Sequence, residues 1–269
     1  MEPMEVAQVN FAKLRNNIYP GRGIVVGRDW TGEYLVQVYL IMGRSPNSRN
    51  RVLSHDGSGR VFTEPADPKE VKDQALIIYN AMDEYLDFFV VTNGNQTDAI
   101  TRQSKMEMKE YSDPLSNSFI RALSRETYEP DVPNFTPRIS GFCSLEKGPR
   151  FGLSLLRKAP KGEGCERSFY TYDDFAPGFA RGITTYSGDG DPLPSFEGEP
   201  ILLPMMGGLE ALAECYWSAL NANNRISLVV KFIDVDARSR VHVINKFSKV
   251  GKPNPRGEIA TYPCGEIIE

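Results

Sequence analysis

The chain has 269 residues, 41% of them hydrophobic, with 31 Lys and Arg against 35 Asp and Glu, a formal charge of −4. That suits one large domain or two small ones with a sizeable core, and it gives no global field that would draw nucleic acid or an anionic membrane. Two histidines (His55, His242) and four scattered cysteines (Cys143, Cys165, Cys215, Cys264) without a CxxC pair argue against a metal centre and for reduced thiols, and no signal peptide or membrane-length apolar run is seen, so a cytoplasmic protein is expected.

Along the chain, Val6, Val9, Phe11 and Leu14 predict a short helix within residues 1–18, an N-terminal extension. Gly23–Gly27 reads as a buried strand and Asp29–Gly32 as a hairpin turn. Glu33–Met42, almost continuously apolar, predicts a strand covered on both faces. A turn-rich stretch, Gly43–Val52, precedes a hairpin from Val52-Leu53 to Arg60–Thr63. After a polar connection, Ala75–Tyr79 and Asp87–Asn93 read as a strand pair, followed by a tight turn at Gly94–Thr97. Asp98–Tyr111 is polar and only partly helical in spacing, whereas Leu115–Leu123 predicts a helix with Asp113 or Ser116 as cap. Pro130, Pro133 and Pro137 demand an extended loop. Strands are expected at Arg138–Ser144, Phe151–Arg157 and Phe169–Tyr172, and an ordered Gly- and Pro-rich loop over Ala176–Pro204. Gly208–Leu220 is the clearest helix, and Ile226–Val235 with Arg240–Phe247 forms a last hairpin before a tail from Lys249. The expectation is an α+β domain over residues 19–248, with helices on mainly antiparallel sheets, and a C-terminal tail over 249–269.

Chemistry points first to the arginines. Between Lys13 and Lys69 there are seven (Arg15, Arg22, Arg28, Arg44, Arg49, Arg51, Arg60) and no lysine. The guanidinium fork grips phosphate or carboxylate bidentately, so a cluster in an acidic chain suggests a small anionic ligand in a pocket. No GxGxxG, GxxxxGK[ST] or GxSxG pattern occurs, which argues against dinucleotide, P-loop and esterase chemistry. Polar groups gather at predicted strand ends: Tyr79-Asn80, Asn93 to Asp98, Tyr128-Glu129 and Thr136-Pro137-Arg138. Singly, each has a plain structural explanation; jointly they offer phosphate donors, a phenol, a carboxylate and amides.

In their order, Tyr19-x-Gly-Arg22, Val26-Gly27-Arg28, Arg44-Ser45-Pro46-Asn47 with Arg49, Tyr79-Asn80, Val91-Thr92-Asn93-Gly94 with Thr97-Asp98-x-Ile100, and Thr136-Pro137-Arg138-Ile139 resemble the archaeal-type IMP cyclohydrolase family. The resemblance is clear from Tyr19 to Ile139 and looser from Thr171 to Leu220; the N-terminal extension and the long C-terminal part depart from it. It implies a four-layer αββα fold like that of the N-terminal-nucleophile hydrolases, without self-processing, since Tyr19-Pro20 stands where such a hydrolase has Thr, Ser or Cys. The implied reaction closes 5-formamidoimidazole-4-carboxamide ribotide to IMP with loss of water. It would need no metal and no cofactor; its partner would be the small ribotide, not nucleic acid or membrane, and a homo-oligomer stays open. With that chemistry, Tyr79 is the candidate donor and general acid, Glu129 the group that takes a proton from the carboxamide nitrogen or holds it in the attacking geometry, and Arg49 the phosphate or formyl-oxygen ligand. Arg22, Arg28, Arg44, Arg51, Asn93, Thr97, Asp98, Thr136 and Arg138 are candidate substrate-binding residues, Asn93 or Asp98 for ribose hydroxyls or base edges. The rival readings are a purine-nucleotide-binding or regulatory protein that keeps the pocket without turnover, and an amide hydrolase that exposes a nucleophile by cleavage.

Overall fold

The computed structural model describes residues 1–71, 78–110 and 115–250. Helix α1 (Pro3–Asn16) starts where the Glu5 carboxylate accepts from the Glu2 N–H at 3.1 Å, and it carries Lys13 and Arg15 in its last turn, favourable for the helix dipole. A hairpin of β1 (Arg22–Arg28) and β2 (Leu35–Met42) leads into a one-turn helix, α2 (Pro46–Arg49), and a second hairpin, β3 (Val52–His55) with β4 (Val61–Glu64). Next come β5 (Asn80–Tyr85), β6 (Phe88–Thr92), α3 (Gln96–Glu110) and α4 (Leu115–Leu123). The chain continues through β7 (Arg138–Ser144), β8 (Arg150–Lys158), β9 (Cys165–Tyr172), β10 (Phe179–Thr184) and β11 (Ile201–Pro204). Helix α5 (Leu209–Ala219) and the hairpin of β12 (Arg225–Ile233) and β13 (Ser239–Asn245) complete it.

The strands form two antiparallel sheets, one ordered β11-β10-β1-β2-β12-β13 and the other β3-β4-β5-β6-β7-β8-β9. Strand β2 explains how they stack. Val36, Val38, Leu40 and Met42 point to an apolar cluster with Phe11 and Leu14 of α1 and Leu212 and Tyr216 of α5. The alternate residues, Leu35, Tyr39 and Ile41, join a cluster with Met82, Phe89, Val91 and Phe151 of the second sheet. A third cluster packs Phe88, Val90 and Phe142 against Ile100 of α3 and Phe119 and Leu123 of α4. Gln37 interrupts the apolar run between the sheets, and its Nε2 donates to the Phe89 carbonyl at 2.9 Å, which ties the sheets at that level.

Close backbone approach fixes the β1–β10 pair. A Cβ on Gly27 would lie 2.4 Å from both the Ala180 Cβ and the Phe179 carbonyl oxygen. Gly27→Ala should therefore destabilise the domain by about 1–3 kcal/mol, read as a lower denaturant midpoint at unchanged slope; an unchanged midpoint would show that the pair is not held this tightly.

Several expectations need correction. The strand expected to end at Tyr79 instead begins at Asn80; the expected span 75–77 lies outside the described residues, as do Asp113 and most of the tail, 251–269. The polar stretch after Asn95 is the fifteen-residue helix α3. Residues 176–204, expected to be one loop, contain β10 and β11, and β10 is an interior strand of its sheet. Cys143 and Cys165 are free thiols, but Cys215 is disulfide-bonded, against the expectation of four reduced cysteines; sequence spacing does not reveal thiols that only the fold brings together. Among the described residues no helix is long and apolar enough to cross a membrane.

Candidate active site

A cavity of about 460 Å³ opens between the start of β1, the turn containing α2, and the loops at residues 129–136 and 186–193. Its rim is made by the exposed residues Arg44 and Ser45 with Asn47 and Ser48 of α2, where the Ser45 hydroxyl accepts from the Ser48 N–H at 3.2 Å. Arg44 lies over the Tyr19 ring, 4.8 Å from its centroid, and pairs with Asp189. Tyr19 in turn stacks on Tyr186 at 6.0 Å. This places a guanidinium and two aromatic rings along one wall. Deeper in are Arg22, Arg51 and Glu129, with Arg51 almost fully buried.

The Glu129 loop is held by a dense set of bonds. The Glu129 N–H donates to the Thr136 carbonyl at 2.9 Å, while Asp131 accepts from the Thr136 N–H at 2.6 Å and from its hydroxyl at 2.5 Å. Thr136 Oγ1 also meets the Tyr186 hydroxyl at 2.6 Å. Asn93, buried, donates from Nδ2 to the Pro137 carbonyl at 2.9 Å and accepts at Oδ1 from the Ile139 N–H at 2.9 Å. Its amide is thus committed to holding the loop. The opposite loop is a compact excursion closed at its stem by the Phe196 N–H on the Thr185 carbonyl (3.0 Å) and tied across the cavity by the Leu193 N–H on Asn134 Oδ1 (3.0 Å).

Electrostatics link the deep groups. Burial pushes the Glu129 carboxyl above its ordinary value and Asp131 adds to this, against the pull of Arg138, Arg22 and Arg51. Burial works against the Arg22 charge, but Tyr79, Tyr39, Tyr19 and Glu129 outweigh it and the guanidinium is held charged. Burial and the neighbouring Arg22 lower Arg51, while Tyr79, Tyr39 and Glu129 oppose them. Tyr79 is 7% exposed, and its hydroxyl lies 2.6 Å from that of Tyr39. One phenol pair, two guanidinium groups and a carboxylate therefore share one neighbourhood.

Of the twelve residues singled out from sequence, Arg22, Arg44, Arg51, Asn93, Glu129 and Thr136 line this cavity, and Tyr79 is coupled to its deep arginines. Arg138 is outside the lining but its charge favours the ionised Glu129, and it donates to Asn95 Oδ1 at 2.6 Å and Gln96 Oε1 at 2.7 Å. Four others lie elsewhere, and each departure has a structural cause. Arg49 bonds the Arg44 carbonyl at 3.2 Å and Asn224 at 3.4 Å, because the helical turn carries it about 100° past Ser48. Arg28 is six residues along β1 from Arg22, about 20 Å away, and pairs with Asp174 at 3.0 Å. Asp98 accepts from Asn80 at 2.7 Å and faces a separate depression with Arg60, Asp83 and Arg102. Thr97 is buried, with its hydroxyl 2.6 Å from that of Thr92.

The model of a family described as IMP cyclohydrolase-like protein matches residues 19–237. The chain belongs to that family. The IMP cyclohydrolase of Methanocella arvoryzae is 32% identical over 127 residues, which cover 47% of this chain and 58% of that protein. The chain thus spans little more than half the length of this relative. That of Methanopyrus kandleri is 29% identical over 190 residues, 67% of this chain and 90% of that protein. That of Methanosphaera stadtmanae is 28% identical over 167 residues, 60% and 76% of the two chains. Among solved structures, Anbu (ancestral beta-subunit) from Yersinia bercovieri aligns over 83% of this chain and 87% of its own at 11% identity and a TM-score of 0.31, and that likeness bears on neither fold nor function.

In this IMP cyclohydrolase-like chain the family match takes in every residue that lines the cavity, from Tyr19 to Leu193, while α1 and β13 lie beyond it. Sequence reasoning missed Tyr39, Asp131, Asn134, Tyr186 and Asp189. Tyr39 sits inside an apolar run and reads as core; the others lie in loops whose partners are distant in sequence. The Tyr19-Pro20 and Asp131 to Thr136 segments carried the available signal, as polar groups beside the motifs.

Proposed function

We propose that this chain is an IMP cyclohydrolase, closing the ring of 5-formamidoimidazole-4-carboxamide ribotide to give IMP and water in purine biosynthesis, in the cytoplasm. The observation that carries this is the gathering of Glu129, Arg22 and Arg51 in a cavity of about 460 Å³, of a size for a mononucleotide, with Tyr79 beside the two arginines. Membership of the family supports the same reading. So does the stacking of two helices on each outer face of a pair of sheets, which we take as the four-layer αββα arrangement of the N-terminal-nucleophile hydrolases.

In this reading the ribotide lies with its phosphoryl end at the rim, near Arg44, Ser45 and Ser48, and its two reacting arms at the deep end. Holding the arms together supplies much of the rate, because the reaction is intramolecular. The carboxamide nitrogen attacks the formyl carbon and gives a proton to Glu129, while the carbonyl electron pair moves to oxygen and takes the Tyr79 proton. Arg22 and Arg51 stabilise the charge that develops there. The new hydroxyl leaves as water with the Glu129 proton, and the former formamido nitrogen returns a proton to Tyr79. Both groups end as they began. Asn93, Thr136 and Arg138 keep the Glu129 loop in place.

The test is an absorbance assay of IMP formation by the purified full chain. Turnover is expected; tight IMP binding with no turnover would instead indicate a nucleotide-binding protein. At the rim, Arg44→Ala should raise KM about tenfold and leave kcat within about threefold. Its Asp189 pair is exposed, so the melting temperature should barely move. A kcat loss with KM unchanged would remove Arg44 from phosphate binding.

A further inference from the structure

Tyr39 is fully buried between the two sheets, and its ring belongs to the apolar cluster there. Core tyrosines usually send the hydroxyl to a backbone carbonyl; this one reaches the Tyr79 hydroxyl, at 2.6 Å. Two oxygens share two protons in this pair, and only one arrangement serves catalysis. If Tyr79 donated to Tyr39, its proton would be spent inside the protein. If Tyr39 donates to Tyr79, the Tyr79 proton is free to turn away from Tyr39, on the side of Arg22 and Arg51, which line the cavity. The groups facing Tyr39 are Tyr79, Arg22 and Arg51. Burial and Tyr79 keep the proton on Tyr39, against the two arginines, so it stays a donor.

Resting on the ring-closure reading above, we propose that Tyr39 is a positioning residue for that reaction: its buried hydroxyl donates to the Tyr79 oxygen and aims the Tyr79 proton at the formyl oxygen of the ribotide. As the carbon–nitrogen bond forms, the carbonyl pair moves to the formyl oxygen and Tyr79 gives up its proton. The Tyr79 oxygen gains the electrons of the broken O–H bond. Tyr39 keeps its own proton and strengthens its hydrogen bond to that oxygen, so no further proton acceptor is required. Tyr39 acts on the substrate only through Tyr79.

The experiment is a double-mutant cycle on the full chain with the ribotide substrate. Tyr39→Phe should lower kcat about tenfold with KM within about twofold. Tyr79→Phe should cost about a hundredfold. The double variant should be no slower than Tyr79→Phe alone, because in that single variant the Tyr39 phenol already has nothing to aim. Wild-type kcat in Tyr39→Phe, or the same tenfold loss added to Tyr79→Phe, would overturn the proposal; the second is the mark of a merely structural role. A proton NMR measurement covers the case in which Tyr39→Phe does not fold. The wild type should show a downfield hydroxyl resonance for the short pair, absent in Tyr79→Phe, and its persistence there would also overturn the proposal. A wild-type protein that makes no IMP yet shows this resonance would remove the ring-closure reading, and the role of Tyr39 with it.

Discussion

Glu129→Gln is expected to cut kcat about a thousandfold, because in the proposed mechanism it removes the group that takes the carboxamide proton while keeping the side chain's size. The same substitution has an opposite effect on stability. Burial holds the Glu129 carboxyl above the ordinary 4.5, so the folded protein keeps this proton at pH values where the unfolded chain has lost it. Stability therefore falls as pH rises through that window, and the glutamine variant should escape the fall. Melting curves of the two proteins should agree at low pH and separate toward neutrality, with the variant higher. The acid limb of kcat/KM in the wild type should lie above the ordinary glutamate range for the same reason. Parallel melting curves, or a variant that turns over normally, would remove Glu129 from the proposed role.

Arg22→Met should also cost about a thousandfold in kcat, since it takes out a cation that stands among Tyr79, Tyr39 and Glu129, where the proposed ring closure develops negative charge. Methionine keeps the unbranched apolar stem but loses the guanidinium and its hydrogen bond from Arg22 Nη1 to the Met42 carbonyl, 2.9 Å in the structure. Arg22 is one of three cations that pull the Glu129 carboxyl down. Without it the acid limb of the residual activity should move to higher pH. Arg22→Lys restores charge without the planar fork and should recover only part of the loss. An unmoved acid limb in Arg22→Met would break the link between Arg22 and Glu129.

What could be read from sequence depended on whether the local pattern carried the information. The apolar run of β2 announced a strand covered on two sides, and α5 showed its buried face at Leu209, Leu212 and Tyr216. Strand β10 did not show itself, because its Gly182 is a close-approach residue and reads as a loop glycine. A Cβ there would come within 2.7 Å of Leu203 Cδ1. Helix α3 has few apolar residues and packs mainly against α4 and β5, so its period is faint. In the site, the order of short motifs pointed to Arg22 and Tyr79, and the polar pair before the proline loop to Glu129. It could not separate Arg49 from Arg51, because the direction each side chain takes depends on a single helical turn. Nor could it raise Tyr39 out of the core, since its partner is forty residues away.

The excursion between Thr185 and Phe196 sits on a stem closed by its own backbone, and Tyr186, Asp189 and Leu193 reach across to Thr136, Arg44 and Asn134, while Ser187 and Gly190 accept from Asn17 and Arg44 and Tyr186 stacks on Tyr19. It is a wall whose ties gather near the stem and at Asp189, Gly190 and Leu193. A change of length at its tip would leave β10 and β11 in place, so on the proposed function the ribotide admitted should depend on this segment and on Arg44. Chimaeras that swap this one segment are the natural way to move substrate preference while the chemistry stays fixed.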